Sequence, residues 1–140
     1  IIILNLVVHM DIKELVKTSE GVLLNPTANL NRQIKGAFAA DLMSDVLASI
    51  QPDAVLLTGL CNPQVIRTAV MADVAAVVVV RGKTLPEATI NLAISEGIPL
   101  IKTNKGMFEM CGLLYNQGSK SMEKPLPNGE CAENACDPLS

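Results

Sequence analysis

Six consecutive residues, Ala75-Ala76-Val77-Val78-Val79-Val80, constrain this chain more than any other feature. The run has no polar alternation, so it offers no face to water. A strand of that kind belongs at the centre of a parallel sheet with helices on both sides. Shorter apolar runs stand before and after it. Ala54-Val55-Leu56-Leu57 leads through Thr58-Gly59-Leu60-Cys61 to Asn62-Pro63, where Asn suits a helix cap and Pro suits the first helical position. The helix that follows carries Val65, Ile66, Ala69 and Val70 inward. After the central run, Thr84 and Glu87 have capping-box spacing ahead of a helix over Ala88 to Glu96, which Gly97 closes. Ile98 to Lys102 is a third strand, Thr103 to Gly106 opens a last helix from Met107 to about Asn116, and Gly118 ends it. Strands joined by helices of this length run parallel, which defines a layered single α/β domain with a small, mostly parallel sheet and flanking helices.

The first third of the chain is less regular. Ile12, Leu15 and Val16 have helical spacing within a short helix from Met10 to Ser19, with acids early, Lys17 late and Gly21 closing. Val22 to Leu24 reads as a brief strand running into an Asn25-Pro26 turn. Gln33 to Ala40 is strand or extended chain, and Asp41 caps a helix over Leu42 to Ser49 that ends before Pro52. Met43, Met71, Met107 and Met110 fall on helical apolar faces as core filler.

With 140 residues, 49% apolar and 18% charged, the chain has material for one core and is not intrinsically disordered. A net charge of -3, no Trp and three aromatics (Phe38, Phe108, Tyr115) provide neither the basic footprint nor the stacking platforms of a nucleic-acid binder. Ile1 to Val8 is apolar but far shorter than the roughly 20 residues a membrane helix needs, and it lacks the flanks of a secretory signal. Residues 1–9 are either a first strand or a leader upstream of a natural start at Met10. Residues 10–118 form the domain, and 119–140, with four acids among the last eighteen residues, are expected to be a mobile acidic tail. Cys61, Cys111, Cys131 and Cys136 read as thiols of a cytoplasmic protein, since no zinc-type spacing or export signal accompanies them. The single histidine, His9, lies in the leader, so no Ser-His or Cys-His catalytic arrangement is available from the rest of the chain.

Ligands of open parallel sheets bind outside the carboxyl ends of the strands, where loops converge. That rim carries Thr58, Gly59 and Asn62 after the first strand of the alternating region, Arg81, Gly82, Lys83 and Thr84 after the second, and Lys102, Thr103, Asn104 and Lys105 after the third. Four of the eleven basic residues gather there, as an anionic small molecule would require. Backbone donors near Gly59 and Gly82 would take the anion, with Arg81 and Lys83 supplying charge. Gly82-Lys83-Thr84 resembles the end of a phosphate-binding loop, but Val77 stands where that loop needs its first glycine, which disfavours a nucleotide-hydrolysing or kinase site. Asp41 and Asp45, one turn apart, suit a cap and a dipole partner better than a metal or acid-base pair.

The ordered phrases Gly36-Ala37-Phe38-Ala39-Ala40-Asp41, Leu57-Thr58-Gly59-Leu60, Asn62-Pro63-Gln64-Val65-Ile66-Arg67, Val80-Arg81-Gly82-Lys83, Gly97-Ile98-Pro99-Leu100 and Phe108-Glu109 resemble the DRTGG-domain family between Gly36 and Gly118, with a plausible extension back to Met10. The resemblance implies a fold similar to the N-terminal, non-catalytic domain of HPr kinase/phosphorylase, a homodimer, and a regulatory or ligand-sensing role. The literal string DRTGG does not occur here, so nothing tied to that string carries over.

These readings converge on a non-enzymatic cytoplasmic module, without cofactor or metal, that binds a small anionic metabolite or nucleotide through Thr58, Gly59, Asn62, Arg81, Gly82, Lys83 and Thr103 and passes that state to a regulatory protein partner or across a dimer. The alternative is a protein-interaction or dimerisation module with no small-molecule ligand. An enzyme that uses Asp41 and Asp45 with a metal is a third possibility, and requires both carboxylates to meet in the strand-end cleft.

Overall fold

The continuous apolar run takes the central place in the sheet. In the computed structural model, which describes residues 10–25 and 30–125, β5 (Ala54–Thr58) and β6 (Ala76–Val79) pair in parallel with every residue of both strands buried. Side chains alternate between two cores. Leu56, Val77, Val79 and Leu100 face α2 (Met43–Ser49), α3 (Pro63–Ala72) and α4 (Glu87–Glu96). Val55, Leu57, Ala76, Val78 and Ile101 face α1 (Ile12–Ser19) and α5 (Met107–Asn116). The result is three layers with helices on both sheet faces, as a doubly buried strand demands.

The six-stranded sheet has the order β2-β7-β6-β5-β4-β8, with β2 (Val22–Leu23) antiparallel to β7 (Leu100–Lys102) and the remaining pairs parallel. From β4 (Gly36–Ala39) to β7 the chain advances one strand at a time, with α2, α3 and α4 on a single face. Helix α5 then crosses the other face and delivers β8 (Lys120–Ser121) to the far edge beside β4. A separate ribbon pairs β1 (Met10–Asp11) with β3 (Gln33–Ile34).

The observed caps differ from the expected ones, each for a local reason. Leu42, not Asp41, is the N-cap of α2, and Pro86, not Thr84, is the N-cap of α4; neither makes a side-chain cap bond. Asn62 does occupy the N-cap of α3 with Pro63 behind it, but its side chain caps nothing. At the amino end of α1, Asp11 accepts a bond of 2.9 Å from the Glu14 N–H, so the expected helix begins two residues late, after β1. Its close falls on Glu20, in the left-handed region at φ 52°, while Gly21 serves a different need: a Cβ there would lie 2.5 Å from the Lys102 carbonyl oxygen. Gly97 closes α4 at φ 70° as expected. Gln33 to Ala40 divides at Lys35, whose N–H bonds to the Asp53 carbonyl, so β3 and β4 enter different sheets. Ile98 is not yet strand, because its N–H still bonds to the Ala93 carbonyl of α4. On α3, Thr68 takes the buried place expected for Val70, which is exposed, and Met71 is likewise an exposed residue rather than core filler. The tail expected from 119 is held to the sheet edge through β8 and through a Lys124 N–H bond to the Ser49 carbonyl; residues 126–140, with Cys131 and Cys136, lie outside the described residues, as does the 1–9 leader.

Two polar side chains lock the edges. Arg32 donates to the Asp53 carboxylate at 2.9 Å, the Asp73 carbonyl at 2.9 Å and the Asp73 carboxylate at 3.1 Å, tying together two residues that adopt left-handed backbone at φ 67° and φ 53°. Asn25 is buried, accepts the Leu100 N–H at 2.8 Å and donates to the carbonyls of Ile98 and Ala93. Its side chain therefore substitutes for the next rungs of the β2–β7 ladder. Asn25→Ala leaves buried backbone groups unpaired and is expected to cost about 1–3 kcal/mol, read as a lower midpoint in urea unfolding with an unchanged slope.

Candidate functional site

Parallel pairing brings four strand ends to one rim. The β4–β5 register sets Ala39 opposite Leu57, and the Ala40 N–H extends the ladder to the Leu57 carbonyl at 3.1 Å, which delivers Asp41 to Thr58 and Gly59. One oxygen of Asp41 accepts the Gly59 N–H at 2.7 Å and the Thr58 hydroxyl at 2.9 Å. The Thr58 hydroxyl oxygen in turn accepts the Leu60 N–H at 3.2 Å, fixing the turn after β5.

The cations come from the turn after β6. Arg81 and Gly82 are consecutive left-handed residues at φ 72° and φ 65°, an arrangement that costs a non-glycine residue roughly 1–2 kcal/mol. Bonds of 2.8 Å from the Arg81 N–H to the Lys105 carbonyl and from the Gly82 N–H to the Thr103 carbonyl hold the turn in place. The guanidinium of Arg81 lies over Gly59, where a Cβ would collide with it. Lys83 donates its ammonium to the Gly59 carbonyl. A side chain at 59 would displace the Arg81 guanidinium from this position, and the backbone of Gly59 is held through both its N–H, by Asp41, and its carbonyl, by Lys83.

The structure brings Thr58, Gly59, Arg81 and Lys83 together around Asp41, which sequence reasoning had assigned to a helix cap. The expected backbone donors are both engaged, Gly59 N–H with Asp41 and Gly82 N–H with Thr103. Thr103 is buried, and its hydroxyl donates to the Ser19 carbonyl at 2.7 Å, so its role is to join α1 to the end of β7. Asn62 is exposed at the start of α3, in the loop that follows Gly59. Lys105 is drawn into ion pairs with Glu20 at 3.1 Å and Glu109 at 3.4 Å, which removes it from the basic group expected here. Asp45 borders a groove with Ser49 and Glu123 instead of joining Asp41. Among the described residues, no three His, Cys, Asp or Glu side chains are grouped to hold a metal ion.

The Gly59 N–H is the main reason the Asp41 carboxyl sits below the usual aspartate range; burial opposes it, and the Thr58 hydroxyl and then the charges of Arg81 and Lys83 add to the lowering. A groove of about 200 Å³ runs between α5 and the β4–β8 edge, lined by Ala37, Leu57, Cys111, Leu114 and Tyr115. Burial raises the Cys111 thiol above its ordinary value.

Residues 14–116 match the DRTGG domain, and the chain belongs to that family. Among solved structures it is similar to the CBS and DRTGG domains of the regulatory region of Clostridium perfringens pyrophosphatase, complexed with the activator diadenosine tetraphosphate: 16% identity, TM-score 0.64, 84% of this chain covered. The chain spans about half of that structure, 51%. No curated protein matches. The similarity shows a shared fold. No helix among the described residues is long and apolar enough to cross a membrane.

Because the folded carboxyl of Asp41 is depressed, its bonds stabilise the fold above the unfolded aspartate pKa and are lost as pH falls through the folded value. Asp41→Asn is therefore expected to flatten the acid limb of the stability-pH profile, measured by thermal unfolding from pH 7 down to pH about 2.5; an identical limb in the variant contradicts this assignment.

Proposed function

We propose that this domain is a non-catalytic sensing module that binds a small anionic metabolite or nucleotide at the carboxyl ends of β4, β5 and β6. The observation that carries this reading is one negatively charged group held by the Gly59 N–H and the Thr58 hydroxyl, with the charges of Arg81 and Lys83 beside it on the same turn. Backbone and hydroxyl donors flanked by cations recognise carboxylate and phosphate oxygens alike. In this reading Asn62, exposed at the head of α3, contacts the body of the ligand, whereas Thr103 shapes the site from within the fold. The occurrence of a nucleotide activator in the regulatory region of the structurally similar pyrophosphatase supports a nucleotide as the first ligand class to try. A regulatory module of this kind reports its state to a protein partner or across a dimer.

A second reading rests on α5. Phe108 and Tyr115, two helical turns apart, are 92% and 78% exposed, and Tyr115 borders the apolar groove against β4 and β8. Aromatic groups left this open on a helix suit a protein-protein or homodimer contact.

The two readings separate in one experiment. Thermal unfolding of the full chain is followed with ATP, diadenosine tetraphosphate and inorganic phosphate. Native-state binding at 100 times Kd adds about 2.7 kcal/mol. The sensing reading expects a saturable rise in Tm that Arg81→Ala and Lys83→Ala each weaken about tenfold in apparent Kd, the loss of one charge-assisted hydrogen bond. No rise with any of the three, together with a dimer that Phe108→Ser dissociates in sedimentation equilibrium, overturns it in favour of the interaction module.

A further inference from the structure

We propose that Asp41 is a built-in competitor that holds the anion site in the unliganded chain, and that the ligand it yields to carries a dianionic phosphate monoester. The inference rests on the reading of this rim as an anion site. The two hydrogen-bond donors that would recognise a bound anion here are already spent on the Asp41 carboxylate, and its charge is balanced by the neighbouring Arg81 and Lys83. The Gly59 N–H and Thr58 hydroxyl reach it at 2.7 and 2.9 Å, and both donate to an ionised acceptor. Arg81 lies over Gly59, and Lys83 is bonded to the Gly59 carbonyl on the same turn. The donors around Gly59 are thus engaged by the chain's own residues.

The charge balance selects the ligand. Arg81 and Lys83 bring two positive charges and Asp41 returns one negative, so the occupied rim keeps a single net positive charge. When Asp41 swings out, two positive charges face the vacated donors, which matches a phosphate monoester dianion better than a monoanionic carboxylate. A phosphate also presents three oxygens, enough to take the Gly59 and Thr58 donors with one and the two cations with the others. Asp41 spends both of its bonds on a single oxygen.

Asp41 is free to leave. It is exposed, it stands in the short connection between β4 and α2, and it caps no helix, since Leu42 is the N-cap of α2. The Leu42 carbonyl accepts the N–H groups of Asp45 and Val46 at 3.1 and 3.2 Å, so displacement of Asp41 is transmitted to the first turn of α2. Ligand binding is thereby converted into a movement of the β4–α2 connection. A ligand that binds only the open form has an apparent affinity reduced by the open fraction, and removal of the competitor restores it.

The test uses the full chain and inorganic phosphate as the probe, titrated calorimetrically against a chloride control of equal ionic strength. Asp41→Asn keeps the shape of the side chain and an oxygen able to accept the Gly59 and Thr58 bonds, but removes the charge; Asp41→Ala empties the position. The proposal expects both variants to bind phosphate about tenfold tighter than the parent chain or better, the ratio expected when the rim is open about a tenth of the time. Circular dichroism and urea unfolding confirm that each variant is folded. Phosphate binding that Arg81→Ala abolishes while both Asp41 variants leave it unchanged or weaken it overturns the competitor and leaves the anion site standing. Failure of the parent and of both folded variants to take up phosphate overturns the anion site itself and the competitor with it.

Discussion

The structure depends on the burial of β5 and β6 on both faces. Two adjacent parallel strands that expose no side chain to water need helices on each side, and α2, α3 and α4 cover one face while α1 and α5 cover the other. Their backbone groups are satisfied by the ladder to β4 and β7, so polar chemistry has no place within the sheet and is displaced to its ends. The two ends are used differently. At the amino ends, Arg32 pins Asp53 and Asp73 in left-handed turns; at the carboxyl ends, Asp41, Arg81 and Lys83 gather around Gly59.

That gathering follows from register. Ala39 opposite Leu57 puts Asp41 beside Gly59, and Thr58 opposite Val79 puts the β6 turn within side-chain reach of the same glycine. A slip of one residue in either pair would turn the buried side chains to the wrong core and scatter the cluster at once. The hydrophobic pattern that specifies the sheet therefore also assembles the rim, and the left-handed Arg81 is tolerated because its backbone N–H and that of Gly82 both find partners in the loop after β7.

Much of this was legible in the sequence. The unbroken run around Val77, the turn chemistry after Leu57 and the closing Gly97 carry the parallel α/β arrangement in their composition and spacing, and the ordered phrases from Gly36 onward carry the family. What escaped depends on distant pairing. Asp41 has the local look of a cap, and only the β4–β5 register reveals its partners at Thr58 and Gly59. Thr103 looks like a rim residue until the Ser19 carbonyl is placed beside it, 84 positions away in the chain. Asn25 reads as a turn, yet its side chain completes the sheet edge at Leu100. Lys105 reads as rim charge until Glu20 and Glu109 take it. Edge strand β8 escaped for another reason: two residues with no apolar pattern are held by position alone, beside a Gly36 that leaves room for the Lys120 carbonyl.

The central claim is that ligand chemistry is seated at Gly59 rather than in the groove beneath α5. Backbone amide resonances of the full chain, followed by nuclear magnetic resonance during addition of ATP, test it most directly, since each amide reports its own surroundings. The account predicts that Gly59, Leu60, Arg81 and Gly82 shift together and saturate on one binding curve, with the β4–α2 connection at Asp41 and Leu42 following on the same curve. Shifts confined to Cys111, Leu114, Tyr115 and β8, with Gly59 unmoved, would contradict it and place the ligand in the groove under α5.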